Sequence, residues 1–252
     1  MTIGYNRMKQ QPDKKRRVSI RLENIGKKYH INHERPTFME KIVQRKNETF
    51  WALKNINLTI YDGDRLGIIG PNGSGKTTLM KIISGICTPT EGKVITNGKI
   101  VTLIELDAGF HHDLTGIQNI FLNAMLLGLS KKQILHDLPS IIRYADIKQF
   151  IDTPLYTYSQ GMILRLGFAI AIHANPKILI LDEGFLVGDT GFRAKIRKTL
   201  QTHYSNSESL ILSTHSLDVL REQCNRIIIM NHGAIVYEGG LEAIEEYDKL
   251  IP

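Results

Sequence analysis

Apolar and polar positions along the first half of the chain predict a strand, a loop and a helix in succession. The two kinds of residue alternate from Ala52 to Ile60, which predicts a half-buried strand. A turn at 62–64 then leads into a short apolar strand from Arg65 to Gly70. A glycine-rich loop at 71–75 follows, and helical spacing begins at Lys76.

The rest of the pattern predicts a helical region set between two groups of strands. Residues 113 to about 175 have mostly helical spacing. Strands are predicted on either side of that region, at 93–96, 99–106, 177–182, 209–214, 226–230 and 234–237. The simplest organisation is an α/β sheet domain that carries an inserted helical subdomain.

Composition agrees with one large globular domain. The chain has 252 residues, of which 42% are hydrophobic and 23% charged, enough to bury a core. Cys87 and Cys224 lack metal-ligand spacing, which indicates isolated thiols in a reducing compartment. No secretory leader follows Met1 and no apolar run reaches transmembrane length, so we expect a chain that does not cross a membrane by itself.

The positive charge is concentrated at the start of the chain. The formal net charge is +7, and the first 50 residues hold 13 Lys and Arg against 5 Asp and Glu. We expect residues 1–17, with the cluster Lys14–Arg17, to form a flexible basic segment. Such a cluster is attracted to anionic headgroups or nucleic acid, but it is equally typical of a solvated, frayed terminus.

The segment GPNGSGKT, residues 70–77, predicts a phosphate-binding loop. It fits the pattern GxxxxGK[ST] without mismatch, and it lies between a predicted strand and a predicted helix. Glycines let successive N–H groups point at phosphate oxygens, and the helix N-terminus adds partial positive charge. We expect Lys76 to reach the β- and γ-phosphates and the Thr77 hydroxyl to ligate Mg²⁺.

A second motif, KILILDE at 177–183, predicts hydrolysis of the bound nucleotide. This apolar strand ends in two carboxylates, at the sheet edge where open α/β folds bind ligands. We expect Asp182 to hold Mg²⁺ through its water shell and Glu183 to polarise the attacking water. The chain has no Asn-Lys-x-Asp segment for reading guanine, which argues against a GTPase.

The segment YSQGM at 158–162 resembles the signature of ATP-binding cassette (ABC) transporters, LSGGQ in its commonest form. The resemblance implies that Ser159, Gln160 and Gly161 contact the γ-phosphate of ATP held by the opposite protomer. Gln160 replaces the first glycine of the pair, but the hydroxyl and the second glycine remain. Ser159 is also suited to cap the helix that follows it.

Other positions resemble further marks of the same family. His215 matches the switch histidine that contacts the γ-phosphate, and Tyr29 matches the aromatic residue that stacks on adenine, with Phe50 and Trp51 as competing candidates. Glu105 stands about where the family has the Gln-loop glutamine.

These assignments give a set of expected site residues. The residues expected to bind ATP are Tyr29, Gly70, Pro71, Asn72, Gly73, Ser74, Gly75, Lys76, Thr77, Thr78, Ser159, Gln160 and Gly161. The expected Mg²⁺ ligands are Thr77, Asp182 and Glu105, the catalytic residues Glu183 and His215, and the dimer contacts Gly188 and Asp189.

The resemblance covers roughly residues 18–240 and implies a fold. That fold is α/β, with a P-loop NTPase (RecA-like) core, an antiparallel β subdomain and an inserted α-helical subdomain at about 113–175. All of these would lie in one nucleotide-binding domain, 18–252. Segments 104–120 and 182–192, together with YSQGM, are similar to the subfamily that exports cell-surface polysaccharides such as O-antigen and teichoic acid.

The resemblance therefore implies an ATPase that uses ATP and Mg²⁺ to export a lipid-linked polysaccharide. The partners would be a second copy of the chain and two copies of a separate transmembrane permease, reached through the helical subdomain. The location would be peripheral, on the cytoplasmic face of a bacterial inner membrane, with no nucleic acid bound. Since the chain ends at Pro252, we expect no added carbohydrate-binding domain of the kind that some O-antigen ATPases carry.

Three alternatives stay open. The chain could serve a different exporter. A soluble ABC protein acting on nucleic acid or ribosomes would suit the basic arm, but such proteins usually have two cassettes or a long coiled coil. A regulatory subunit that binds nucleotide without turnover is disfavoured by Glu183.

Overall fold

Two β-sheets with helices packed around them make up the computed structural model, which describes residues 16–30, 49–104, 109–182, 190–203 and 208–250. The strands are β1 Val18–His30, β2 Thr49–Tyr61, β3 Arg65–Ile69, β4 Glu91–Thr96, β5 Ile100–Leu103, β6 Ile178–Leu181, β7 Ser209–Ser213, β8 Arg226–Asn231 and β9 Ala234–Gly239. The helices are α1 Lys76–Ile83, α2 Gly116–Leu126, α3 Lys131–Ala145, α4 Gln160–His173, α5 Thr190–His203, α6 Leu217–Gln223 and α7 Ala243–Leu250. Two 3-10 turns lie at Lys148–Phe150 and Leu155–Thr157.

The larger sheet positions the site. Its strand order is β5-β6-β7-β3-β8-β9, and only β9 runs antiparallel to its neighbour. The carboxyl ends of β3 and β6 therefore meet at the same sheet edge. The glycine-rich loop follows β3 and Asp182 follows β6, so both motifs lie at that edge.

Strand β6 shows how the sequence places this sheet between two apolar layers. Its four residues are fully buried. Ile178 and Ile180 join the apolar cluster on the α1 side, whereas Leu179 and Leu181 join the cluster formed with the helical region. Alternate residues of a strand point to opposite faces, so a continuous apolar run is what a strand covered on both faces requires.

The smaller, antiparallel sheet has the order β2-β1-β4 and covers the α1 side. Its central strand, β1, is the one that the alternation of residues does not predict. The register of β1 against β2 shifts several times, and Asn24 takes a left-handed φ of 51°. Each bulge moves the following residues to the other face, which disrupts the period of two.

Three helices, α2 to α4, occupy the range where the sequence predicts helical structure. Thr115 is the N-cap of α2 and Ser130 is the N-cap of α3, and each of these side chains forms a reciprocal capping box with a glutamine three residues later. Among the described residues, no helix has both the length and the apolar character needed to span a bilayer.

An aromatic cluster attaches α5 to the helical region. The Tyr144 hydroxyl hydrogen-bonds Thr199 Oγ1 at 2.6 Å, and its ring lies 6.0 Å from that of Phe168. The Lys195 ammonium lies 4.3 Å above the Tyr144 ring and donates to the Tyr144 carbonyl at 2.8 Å. α5 is thereby fixed against α3 and α4.

A buried carboxylate, Asp64, ties the start of the described chain to the amino end of β3. Asp64 is 2% exposed and accepts hydrogen bonds from Arg16, from Arg226 at 2.8 Å and from the Tyr61 N–H at 3.0 Å. The Arg16 guanidinium also lies 5.2 Å from the Tyr61 ring centre. Of the basic cluster Lys14–Arg17, the last two residues are described, and Arg16 is bound to the body of the fold.

The two cysteines differ in environment. Cys224 is 7% exposed, and burial raises the pKa of its thiol to about 12. Cys87 is partly exposed. The Cys224 thiol therefore stays protonated at neutral pH, as a small apolar side chain of the core.

Candidate functional site

The glycine-rich loop leads into α1 without a side-chain cap. Gly75 stands at the N-cap with a φ of 103°, and a Cβ there would lie 2.7 Å from the Ala52 carbonyl oxygen. Only glycine fits that position. Since no side chain among the described residues caps α1, its first-turn amides and its partial positive charge remain available to an anion.

Lys76 carries a buried positive charge beside this loop. The side chain is 7% exposed, and Nζ donates to the Gly70 carbonyl at 2.8 Å and the Pro71 carbonyl at 3.2 Å. Ser74 Oγ is also buried, and it has no hydrogen-bond partner among the described residues. An unpaired buried hydroxyl costs about 1–3 kcal/mol, which a bound polar ligand would recover.

The structure brings together Thr77 and Asp182, two of the three residues expected to hold Mg²⁺. The Thr77 hydroxyl donates to Asp182 Oδ2 at 3.3 Å. A hydroxyl and a carboxylate are hard oxygen ligands, and Mg²⁺ is held in proteins by one or two such groups together with phosphate oxygens and water. The pair therefore fits this ion.

A cavity of about 380 Å³ opens over the loop. It is lined by Phe50, Ala52, Asn72, Gly73, Ser74, Gly75, Lys76, Thr77, Thr78, Ile104 and Asp182. Seven of these eleven residues, 72 to 78, belong to the predicted phosphate-binding set. Ala52 and Ile104 were not singled out by the sequence, because an ordinary apolar residue next to a strand end carries no local signal.

The aromatic wall of this cavity is Phe50 rather than Tyr29. Phe50 is 49% exposed and lines the cavity, whereas Tyr29 does not. The two rings stack, with centres 5.7 Å apart and planes inclined by 27°. Tyr29 therefore stacks on the ring that faces the cavity, and which of the two rings contacts an adenine stays a prediction.

The signature residues lie apart from the cavity of their own chain. Ser159 caps α4, and its Oγ accepts a hydrogen bond from the Met162 N–H at 3.3 Å. In the described ranges, Ser159, Gln160 and Gly161 are absent from the cavity lining. Their contact with ATP held by a second copy of the chain stays a prediction.

His215 is exposed and follows β7, which lies between β6 and β3 in the sheet. It therefore lies at the same sheet edge as the cavity, although it is not part of the lining. Glu105, Glu183, Gly188 and Asp189 lie outside the described residues, and their roles stay predictions.

The family follows from a match to the family described as "ABC transporter", which covers residues 53–185, more than half of the chain. The chain belongs to the ABC transporter family. The expectation of an ATPase coupled to transport is thereby confirmed.

Proteins named for teichoic acid and O-antigen export match nearly the whole chain. It is 38% identical to the teichoic acids export ATP-binding protein TagH of Listeria innocua over 240 residues, 93% of this chain and 71% of that protein. It is 33% identical to the O-antigen export system ATP-binding protein RfbB of Klebsiella pneumoniae, over 91% of this chain and 97% of that protein.

Solved ABC cassettes share the fold. A dimeric, post-hydrolysis structure of the cassette MJ0796 superposes with a TM-score of 0.73 at 24% identity, over 88% of this chain and 98% of that one. An ATP-binding subunit of another ABC transporter gives a TM-score of 0.75 at 22% identity. The predicted architecture, a P-loop NTPase core with β and helical subdomains, is confirmed.

Proposed function

We propose that this chain is the ATP-hydrolysing subunit of an ABC transporter that exports a lipid-linked cell-surface polysaccharide across the inner membrane. The observation that carries the proposal is its similarity, over more than 90% of its length, to proteins named for teichoic acid and O-antigen export. The phosphate loop beside the Thr77–Asp182 pair supports hydrolysis.

In this proposal the base and the phosphates of the nucleotide contact different walls of the cavity. Phe50 holds the base, while the amides of residues 72–78 and the Lys76 ammonium hold the phosphates. Thr77 and Asp182 would hold Mg²⁺, and the ion would neutralise negative charge on the phosphates. Glu183 accepts a proton from the attacking water, and His215 contacts the γ-phosphate.

The active unit in this proposal is a homodimer. ATP lies between the phosphate loop of one protomer and Ser159–Gly161 of its partner, which accounts for the separation of these elements within one chain. Closure with ATP and reopening after hydrolysis drive two copies of a separate permease, contacted through the helical subdomain. The dimer sits peripherally on the cytoplasmic face of the membrane.

We expect Phe50→Ala to raise the dissociation constant for ATP about 5- to 160-fold, since stacking on an aromatic side chain is worth about 1–3 kcal/mol per base. Tyr29→Ala should have a smaller effect, because that ring supports Phe50 instead of lining the cavity. Isothermal titration of each variant measures this. Inorganic triphosphate serves as the control ligand, because it lacks a base, and its affinity should not change. A larger loss of ATP affinity in Tyr29→Ala than in Phe50→Ala would show that Tyr29 contacts the base.

The export function is tested in a strain that lacks this gene, complemented with the native protein or with Lys76→Ala. With the native protein, labelled lipid-linked glycan should reach the cell surface. With the variant it should accumulate inside, and its composition then identifies the substrate. Lys93→Ala, on exposed strand β4, is the matched control. Identical surface glycan in all strains would refute the polysaccharide assignment, and co-purification with ribosomes would favour the soluble alternative.

A further inference from the structure

The turn between β8 and β9 has a backbone conformation that its sequence is suited to adopt. His232 and Gly233 have φ values of 46° and 79°, and Asn231 pairs with Ala234 on either side. Two successive residues of positive φ are characteristic of a type I′ hairpin, which favours glycine at the second position. The turn is therefore tight, and its second residue is buried.

Both backbone polar groups of Gly233 bond to segments of the chain that carry lining residues of the nucleotide cavity. Its N–H donates to the Ser74 carbonyl at 3.0 Å, within the phosphate loop. Its carbonyl accepts from the Lys54 N–H at 2.8 Å, on β2. Since β2 also carries Phe50 and Ala52, one glycine joins the phosphate-binding wall of the cavity to its aromatic wall.

There is no room for a side chain at this joint. A Cβ on Gly233 would lie 2.7 Å from the Ala52 carbonyl oxygen, 3.1 Å from the Ala52 carbonyl carbon and 3.3 Å from Leu53 Cα. All three neighbours are backbone atoms, which cannot rotate away as the end of a side chain would. A larger residue would therefore move the turn away from β2, from the phosphate loop or from both.

We propose that Gly233 is a positioning residue for ATP, one that sets the phosphate loop at a fixed distance from the base-binding wall. The inference rests on the proposed nucleotide site. Gly233 does not line the cavity and acts through Ser74 and Lys54. Because ATP spans both walls, a shift of one wall against the other lowers the affinity for ATP. It lowers the affinity less for a ligand that contacts the phosphate loop alone.

The test compares Gly233→Ala with Gly128→Ala. Gly128 has a similar φ of 84°, but no atom lies within 4 Å of the Cβ that it would carry, so it reproduces the backbone strain without the contact. Dissociation constants for ATP and for inorganic tripolyphosphate are measured with Mg²⁺ by calorimetry. We expect Gly233→Ala to raise the dissociation constant for ATP on the order of 10- to 100-fold, because small misplacements of binding groups have effects of this size. Tripolyphosphate binding should change much less, and Gly128→Ala should leave both constants near native.

Equal weakening of both ligands would overturn the proposal, because Gly233 would then support only the phosphate loop. Unchanged ATP affinity in Gly233→Ala would overturn it as well. If Gly233→Ala does not fold, Lys54→Pro removes the N–H that bonds the Gly233 carbonyl, and the same selective loss of ATP is expected. A native protein that binds neither ligand would instead refute the proposed nucleotide site.

Discussion

Glu183→Gln should lower the rate of ATP hydrolysis about 10²- to 10⁴-fold, the usual contribution of a positioned general base. An amide of the same shape cannot accept a proton from water, so binding should be retained while turnover is lost. Phosphate release under single-turnover conditions measures the rate, and equilibrium titration measures the affinity.

Asp182→Asn is the matched comparison for this prediction. Asp182 accepts a hydrogen bond from the Thr77 hydroxyl at the expected Mg²⁺ site. Asp182→Asn should therefore raise the Mg²⁺ concentration needed for activity. Glu183→Gln should leave that concentration unchanged. Turnover close to native in Glu183→Gln would show that another group accepts the proton and would remove Glu183 from the catalytic set.

Asp64→Ala should lower the free energy of unfolding by about 1.5–3 kcal/mol, the usual worth of hydrogen bonds to a charged group, because Arg226 loses this buried carboxylate but keeps its pair with Glu238. Asp64 is 2% exposed and Arg226 is 11% exposed, so neither side chain of this pair is well solvated. The Tyr61 N–H loses its acceptor in the same variant. Urea denaturation, followed by circular dichroism, measures the change.

The matched control for Asp64 is Glu23→Ala. Glu23 pairs with Lys93 at 3.1 Å, but the two side chains are 37% and 66% exposed. An exposed ion pair stabilises a protein by about 0–1 kcal/mol, so the free energy of unfolding of this variant should stay close to the native value. A loss below about 1 kcal/mol in Asp64→Ala would mean that water enters the Arg16–Asp64–Arg226 network and solvates the arginines.

The sheet and its phosphate loop could be predicted because their signals are local. β6 and the other central strands are continuous apolar runs, and the loop is a contiguous pattern between two elements. α5 is not among the elements predicted above, although Phe192, Ile196 and Leu200 recur every four residues. That spacing could have revealed it, despite the many basic residues between them.

The rest of the site could not be read from the sequence, because it depends on contacts between distant segments. Tyr29 and Phe50 are both aromatic residues in strands, and only the pairing of β1 with β2 decides which ring faces the cavity. Gly233 lies in an ordinary hairpin turn, and its bonds to Ser74 and Lys54 follow from the packing of three separate elements.

The attachment of Arg16 to Asp64 has a practical consequence for experiments on this protein. Asp64 directly precedes β3, whose five residues span about 17 Å at roughly 3.3 Å per residue before the phosphate loop begins. The described chain therefore joins the fold, at Arg16, on the edge of the sheet opposite the nucleotide cavity, which makes that end of the chain suitable for surface immobilisation. Tethered molecules can then exchange nucleotide while they are observed one at a time.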